Sequence, residues 1–257
     1  MNRPKTISCW WRAWGLLAGA SLQVVVGFPG LPGFSQGQGP APQAVPGPIP
    51  LREPAGQKLL LGSDARADYG PLSQDFETQA NLAYCGVASL VVVLNSLGVP
   101  APPVPGYPGY HFWTQDNVFG GPGGGRFVQA ERVRREGMTL AQLHGWSRDH
   151  GLMVRRFQGD QLSLVQFRQL LREGLSDPHD RLVVNYLRTG IAQQGGGHIS
   201  PIAAYDNHSD RVLILDVARY RYPAVWVKTE VLWRSMGAVD RASGQSRGLL
   251  SMRWNPK

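Results

Sequence analysis

After Cys85 the apolar residues Val87, Ala88, Leu90, Val91, Leu94 and Leu97 recur at helical spacing, and Gly98 and Pro100 close the run, so the pattern predicts a helix over 85–97. Val92 and Val93 make the remaining face apolar as well, which predicts a helix buried nearly all round. Two amphipathic helices follow in "MTLAQLHGWSRDHG" and "SLVQFRQLLREG", with Thr139 and Ser163 as N-caps and Gly151 and Gly174 as stops. The pattern then shifts to strand-like runs at 181–187, 198–205, 211–217, 224–227 and 248–254, interrupted by the helical "TEVLWRSM". Helices first and neighbouring antiparallel strands afterwards predict an α+β domain whose helical N-terminal half packs on an antiparallel sheet. Between helices, Val99 to Gly125 reads as a long mobile loop. Its "GGPGGG" lacks the Gly-Lys-Ser/Thr that a phosphate cradle requires.

Composition sets the ends apart from this domain. Residues 1–34 carry Arg3, Lys5 and Arg12, no acid, and an apolar run of 16 residues from Ala13 to Phe28. That is the make-up of a secretory signal peptide, short of the ~20 residues of a spanning helix, with a short uncleaved N-terminal anchor as the alternative. The expected location is therefore exported or N-terminally anchored, with a bacterial cytoplasmic site left open. Residues 35–50 are rich in Pro and Gly and read as a linker, leaving 51–257 as the folded domain. The formal charge of +8 on 257 residues becomes +5 once the three N-terminal cations are removed, and the rest are scattered. No basic stripe interleaved with aromatics is present, so no nucleic-acid partner is expected; a modest positive field suits small anionic substrates.

Cysteine usage narrows the chemistry. Cys9 lies in the leader and Cys85 alone remains in the domain, so neither an internal disulfide nor a multi-cysteine metal cage is available. A helix N-terminus stabilises a thiolate through unpaired N–H groups and the helix dipole, which gives Cys85 the address of a nucleophile. A base must come from the histidines. His111, His144, His150, His179 and His208 sit in loops, turns or an amphipathic helix, whereas His198 opens the strand of "GGGHISPIAAYDNHSDRVLILDVARY". If Tyr205 pairs with Arg211 across the polar turn, His198 falls near Ala218, and Asp216 lies two residues away on the same sheet face. An acid interrupting "VLILDV" needs a buried partner, and the His198 ring supplies one. Cys, His and Asp then form the nucleophile, base and orienter of a papain-like acyl-transfer site. A capping Asp and a surface His remain the plain alternative at this point. Gln79, six residues before Cys85, is positioned to complete an oxyanion hole beside the Cys85 N–H.

The segments "ETQANLAYCGVASLVVVLNSL", "FWTQDNVF", "NYLRTGI", "GGGHISPIAAYD" and "ILDVARYRYPAVWV" together resemble the catalytic domain of phytochelatin synthase, over about Leu60 to Trp254. The resemblance implies a papain-like cysteine protease fold. It assigns catalytic roles to Cys85, His198, Asp216 and the oxyanion Gln79, and substrate-binding roles at the γ-glutamyl end of glutathione to Arg188, Asp240 and Arg247, with Gly197 beside them. It implies an acyl transferase or hydrolase that cleaves the Cys–Gly bond of glutathione and passes the γ-glutamylcysteinyl group to water or to a second glutathione. No cofactor or metal site on the protein is implied; heavy-metal ions such as cadmium would enter as glutathione thiolates, consistent with heavy-metal detoxification. A homodimer is left open. The chain ends soon after the catalytic domain, without a cysteine-rich extension, as in the short bacterial form. A papain-like peptidase for other peptides and a non-catalytic thiol or metal-binding module are the competing expectations.

Overall fold

A computed structural model describes residues 47–121 and 127–255. In chain order its elements are β1 (Ile49–Pro50), α1 (Pro54–Gly62), α2 (Tyr69–Gln74), α3 (Cys85–Ser96), α4 (Ala130–Glu136), α5 (Leu140–Asp149), β2 (Met153–Gln158), α6 (Leu164–Gly174), β3 (Asp180–Leu187), β4 (Gly197–Asp206), β5 (Arg211–Ile214), β6 (Val225–Lys228), α7 (Thr229–Met236), β7 (Val239–Asp240), β8 (Gln245–Ser246) and β9 (Gly248–Arg253). Seven strands form one antiparallel sheet in the order β1-β6-β5-β4-β3-β9-β2, and β7 and β8 form a separate pair. The expected α+β class therefore holds, with one refinement. Helices cover both faces of the sheet. On one face α3 and α5 bury Val183, Ile199, Leu250 and Met252; on the other α6 and α7 bury Leu182, Val184, Tyr186, Ile202 and Leu249. Neighbouring residues of β3 thus enter different cores, which is why its apolar run is continuous rather than alternating.

Local chemistry accounts for the helix boundaries. Thr139 and Ser163 each close a capping box, accepting from the backbone N–H of Gln142 and Gln166 while those glutamines reach back to the cap. Gly98 takes φ +66° just past α3 and Gly151 takes φ +86° past α5, a conformation that favours glycine. Gly174 instead stays inside α6, where a Cβ would meet the Leu182 side chain at 3.0–3.1 Å.

The last two residues of the stretch read as a linker, Ile49 and Pro50, belong to the sheet. They pair with Val225 and Trp226 as an edge strand, a position that tolerates proline. The run expected at 211–217 is a strand only to Ile214. No helix among the described residues is long and apolar enough to cross a membrane, and the leader or anchor expected at 1–34 lies outside them.

Candidate active site

Cys85 is the first residue of α3, behind Tyr84, whose side chain makes no capping hydrogen bond. The helix is buried from Gly86 to Leu94, so its start is anchored by packing on every side. Ser89 fastens it to the sheet by donating to the carbonyls of Cys85 (2.7 Å) and of Ile199 on β4 (3.2 Å). Burial pushes the Cys85 thiol up, but the hydrogen bond and charge of His198 and the backbone N–H groups of Ile199 and Gly86 outweigh it, and the pKa falls below the ordinary thiol value. For His198, burial lowers the pKa while hydrogen bonds to Asp216 and Cys85 raise it, with a net rise. Both directions favour a thiolate–imidazolium pair.

The β4–β5 pairing places the third member. Next to the turn the register is Tyr205 opposite Val212, one residue off the Tyr205–Arg211 pairing expected from the sequence. A bulge between Ile202 and Ala204 then restores the expected count, with Ile202 opposite Ile214 and Leu215 N–H bonding the Pro201 carbonyl at 3.0 Å. Continued past the strand end, this register brings Asp216 to the face of His198. Its Oδ1 lies 2.8 Å from His198 Nε2, which leaves Nδ1 for the thiol. Ser200, two residues along the same face, places its hydroxyl 3.0 Å from the same Nε2.

Arg188, expected at the substrate, is placed against Asp216. It is buried, does not line the cavity beside Cys85, and donates to both oxygens of Asp216 at 2.7 and 3.0 Å. Its guanidinium also bonds Gln193 Oε1 and stacks on the Tyr222 ring, 4.9 Å from its centroid. The 28-residue separation of Arg188 and Asp216 hides this pairing from sequence reading. Burial alone would raise the Asp216 pKa, but bonds from His198 and Arg188 bring it down to about 2, so the carboxylate stays ionised behind the imidazole. Gln79 stands in the loop entering α3, anchored by its backbone N–H to the Val217 carbonyl, and its amide nitrogen donates to Asn81 O at 2.7 Å and Tyr220 Oη at 3.0 Å. It does not line the cavity.

That cavity, about 370 Å³, is lined by Cys85 and His198 together with Gly197, Asn185, Asp240 and Arg247. Arg247 is 8% exposed and donates to Asn185 Oδ1 at 2.9 Å; it pairs with Asp240 at 3.5 Å, and its Nε is buried without a partner. Gly197 makes room for it, because a Cβ there would lie 2.1 Å from an Arg247 terminal nitrogen. Three of the four residues expected at the substrate, Gly197, Asp240 and Arg247, therefore line the same cavity as Cys85. A second stretch of lining comes from α4 and the loop after it, including Arg132, Arg135, Glu136 and Met138, and no periodicity in the sequence points to it. Of the remaining histidines, His150 is buried and faces the carbonyls of Trp146 and Val118, and none lines this cavity. Among the described residues no three His, Cys, Asp or Glu side chains converge as metal ligands would.

A nucleophile at the start of a buried helix, laid against an antiparallel sheet that carries its His–Asp pair, is the papain-like arrangement. The sequence matches the family described as Phytochelatin synthase over residues 43–249. It is 34% identical to glutathione gamma-glutamylcysteinyltransferase 3 of Lotus japonicus, covering 82% of this chain and 42% of that protein. It is 36% identical to glutathione gamma-glutamylcysteinyltransferase 1 of Triticum aestivum, covering 68% of this chain and 34% of that protein. Among solved structures, the peptidase domain of Streptococcus ComA aligns with TM-score 0.42 and 13% identity over 70% of this chain and 97% of that one. The chain thus spans less than half the length of these curated relatives. The match over most of its residues nonetheless assigns it to a family: this chain belongs to the phytochelatin synthases.

Proposed function

We propose that this protein transfers the γ-glutamylcysteinyl group of glutathione, by attack of Cys85 on the Cys–Gly amide. The Cys85 thiolate adds to the carbonyl carbon. The backbone N–H of Cys85 and the amide of Gln79 hold the oxyanion, Gln79 exchanging its contact with the exposed Tyr220 hydroxyl for the substrate oxygen. His198, held by Asp216, gives its proton to the departing glycine amine, and a thioester remains on Cys85. Water then yields γ-glutamylcysteine, or the α-amine of a second glutathione yields (γ-Glu-Cys)₂-Gly.

The observation that carries this reading is the thiol–imidazole–carboxylate chain opening on a cavity that also holds the Arg247–Asp240 pair. The free α-amino and α-carboxylate groups of a γ-glutamyl unit are a cation and an anion on one carbon. Asp240 offers an anion to the first and Arg247, with its unpartnered Nε, a cation to the second. The relatives' names, which specify this transfer, support the same substrate. A heavy-metal ion enters this scheme only as a thiolate complex of glutathione, as substrate.

The test is product analysis by chromatography with mass detection after incubating the full chain with glutathione, with and without cadmium. γ-Glutamylcysteine, alone or with (γ-Glu-Cys)₂-Gly, is the expected outcome. Unchanged glutathione in both tubes overturns the reading.

A further inference from the structure

The cavity wall built by α4 and the loop after it carries a charge that the donor site does not use. Thr139 and Gln142 on this wall are committed to each other in the α5 capping box. Arg132 and Glu136 form an i,i+4 pair whose side chains are 64% and 57% exposed, a contact of little strength in water. Arg135 makes no hydrogen bond or ion pair with the described residues, and it faces the same cavity as Cys85. Two arginines against one glutamate leave the wall positive, with no acceptor from the fold to satisfy Arg135.

The two halves of the proposed reaction share one feature that such a wall would recognise. The glycine that leaves is an amine with a carboxylate on the adjacent carbon. The incoming glutathione attacks through the α-amine of its γ-glutamyl unit, which likewise bears a free carboxylate on the same carbon. Attack and departure pass through the same tetrahedral geometry, so leaving and entering amines occupy one side of the thioester.

Resting on that acyl-transfer reading, the geometry points to a leaving-group and acceptor subsite in which Arg135, with Arg132, binds the carboxylate next to the reacting amine. In the second half-reaction the amine nitrogen adds to the thioester carbonyl, the C–N bond forms and the C–S bond breaks. The amine proton passes to His198 and Cys85 leaves as thiolate, which restores the thiolate–imidazolium pair. The subsite would thereby select α-amino-acid acceptors over plain amines, and favour transfer over hydrolysis where such acceptors are abundant.

Competition between acceptors tests this. The full chain is incubated with glutathione and equal concentrations of isotope-labelled glycine and glycinamide, and the labelled adducts of γ-glutamylcysteine are counted per unbound amine. Wild type should favour glycine, and Arg132→Ala/Arg135→Ala should lower the glycine-to-glycinamide ratio about tenfold, as loss of a charge-assisted contact does. Arg135→Lys should keep part of the preference, and Arg156→Ala, an exposed charge outside the cavity, should keep all of it. A wild type without preference, or a double variant that retains it, overturns the subsite. Failure of the underlying reading looks different: no γ-glutamylcysteinyl product forms in any tube, and the subsite falls with it.

Discussion

Arg188 gives both guanidinium arms to Asp216 and does not line the cavity, so its loss acts on the carboxylate. Arg188→Gln should lower kcat by about 10² through misplacement of the His198 ring, with the KM for glutathione close to wild type. A rise in KM at constant kcat would return Arg188 to the substrate. The same variant removes a cation that lowers the Asp216 pKa, so the acid limb of kcat/KM should move to higher pH. In the wild type the depressed Asp216 contributes stability that is fully present above its ordinary 3.8 and is lost as pH falls through about 2. Gly197→Ala makes the opposite case: its methyl would displace the Arg247 guanidinium, so KM should rise while the triad stays intact. The thiolate itself is open to measurement. Alkylation of Cys85 by iodoacetamide at pH 6 should be fast in wild type and slowed in His198→Ala, because the imidazolium is what holds the thiol ionised.

At the level of elements, α3 is aimed by what packs under its first turn. A Cβ at Gly86 would lie 2.5 Å from Met138 Sδ and 2.7 Å from its Cγ, so the residue after the nucleophile is small because the loop from α4 to α5 crosses there. Gly86→Ala should cost about 1–2 kcal/mol in denaturant unfolding, and Met138→Ala in the same chain should recover part of it by vacating the space. Elements with strong local signals are readable in advance: α3 by its apolar run, α5 and α6 by their N-caps and amphipathic spacing, β3, β4 and β9 by their apolar stretches. Others are silent for physical reasons. β2 is an edge strand whose exposed positions include Arg155 and Arg156, and α4 is seven residues dominated by charge, so neither carries a periodic apolar face. Cys85, His198 and Asp216 are legible because each stands out locally, a thiol opening a helix, a histidine after three glycines at the start of a strand, and an acid inside the apolar run "VLILDV". Arg188 and Ser200 act through partners that only the folded chain brings near, and only the folded chain sets the α4 arginines on the cavity wall.

Across the whole molecule, one buried ion pair ties the early helices to the centre of the sheet. Arg181 on β3 bonds Asp68, the residue before α2, at 2.9 Å and the Ser96 carbonyl at the end of α3 at 3.0 Å, with both charged side chains almost fully buried. Burial pushes the Asp68 carboxyl up to about 8 against the pull of Arg181, so the pair is only partly ionised at neutral pH. Arg181→Ala should therefore destabilise the fold by about 1–3 kcal/mol, by leaving the buried Asp68 carboxyl and Ser96 carbonyl without their donor, whereas Arg181→Met combined with Asp68→Leu should recover most of that loss, as urea titration would show. The β4 bulge has a reach of another kind. Ala203 is the extra residue that shifts the pairing by one, and a strand exposes opposite faces on alternate residues. Without it, the straight register from the turn would set Asp216 opposite Pro201 and send its carboxylate away from the imidazole. Whether this hairpin holds a working triad is thus a matter of parity: its residue count between the bulge and the histidine must stay even.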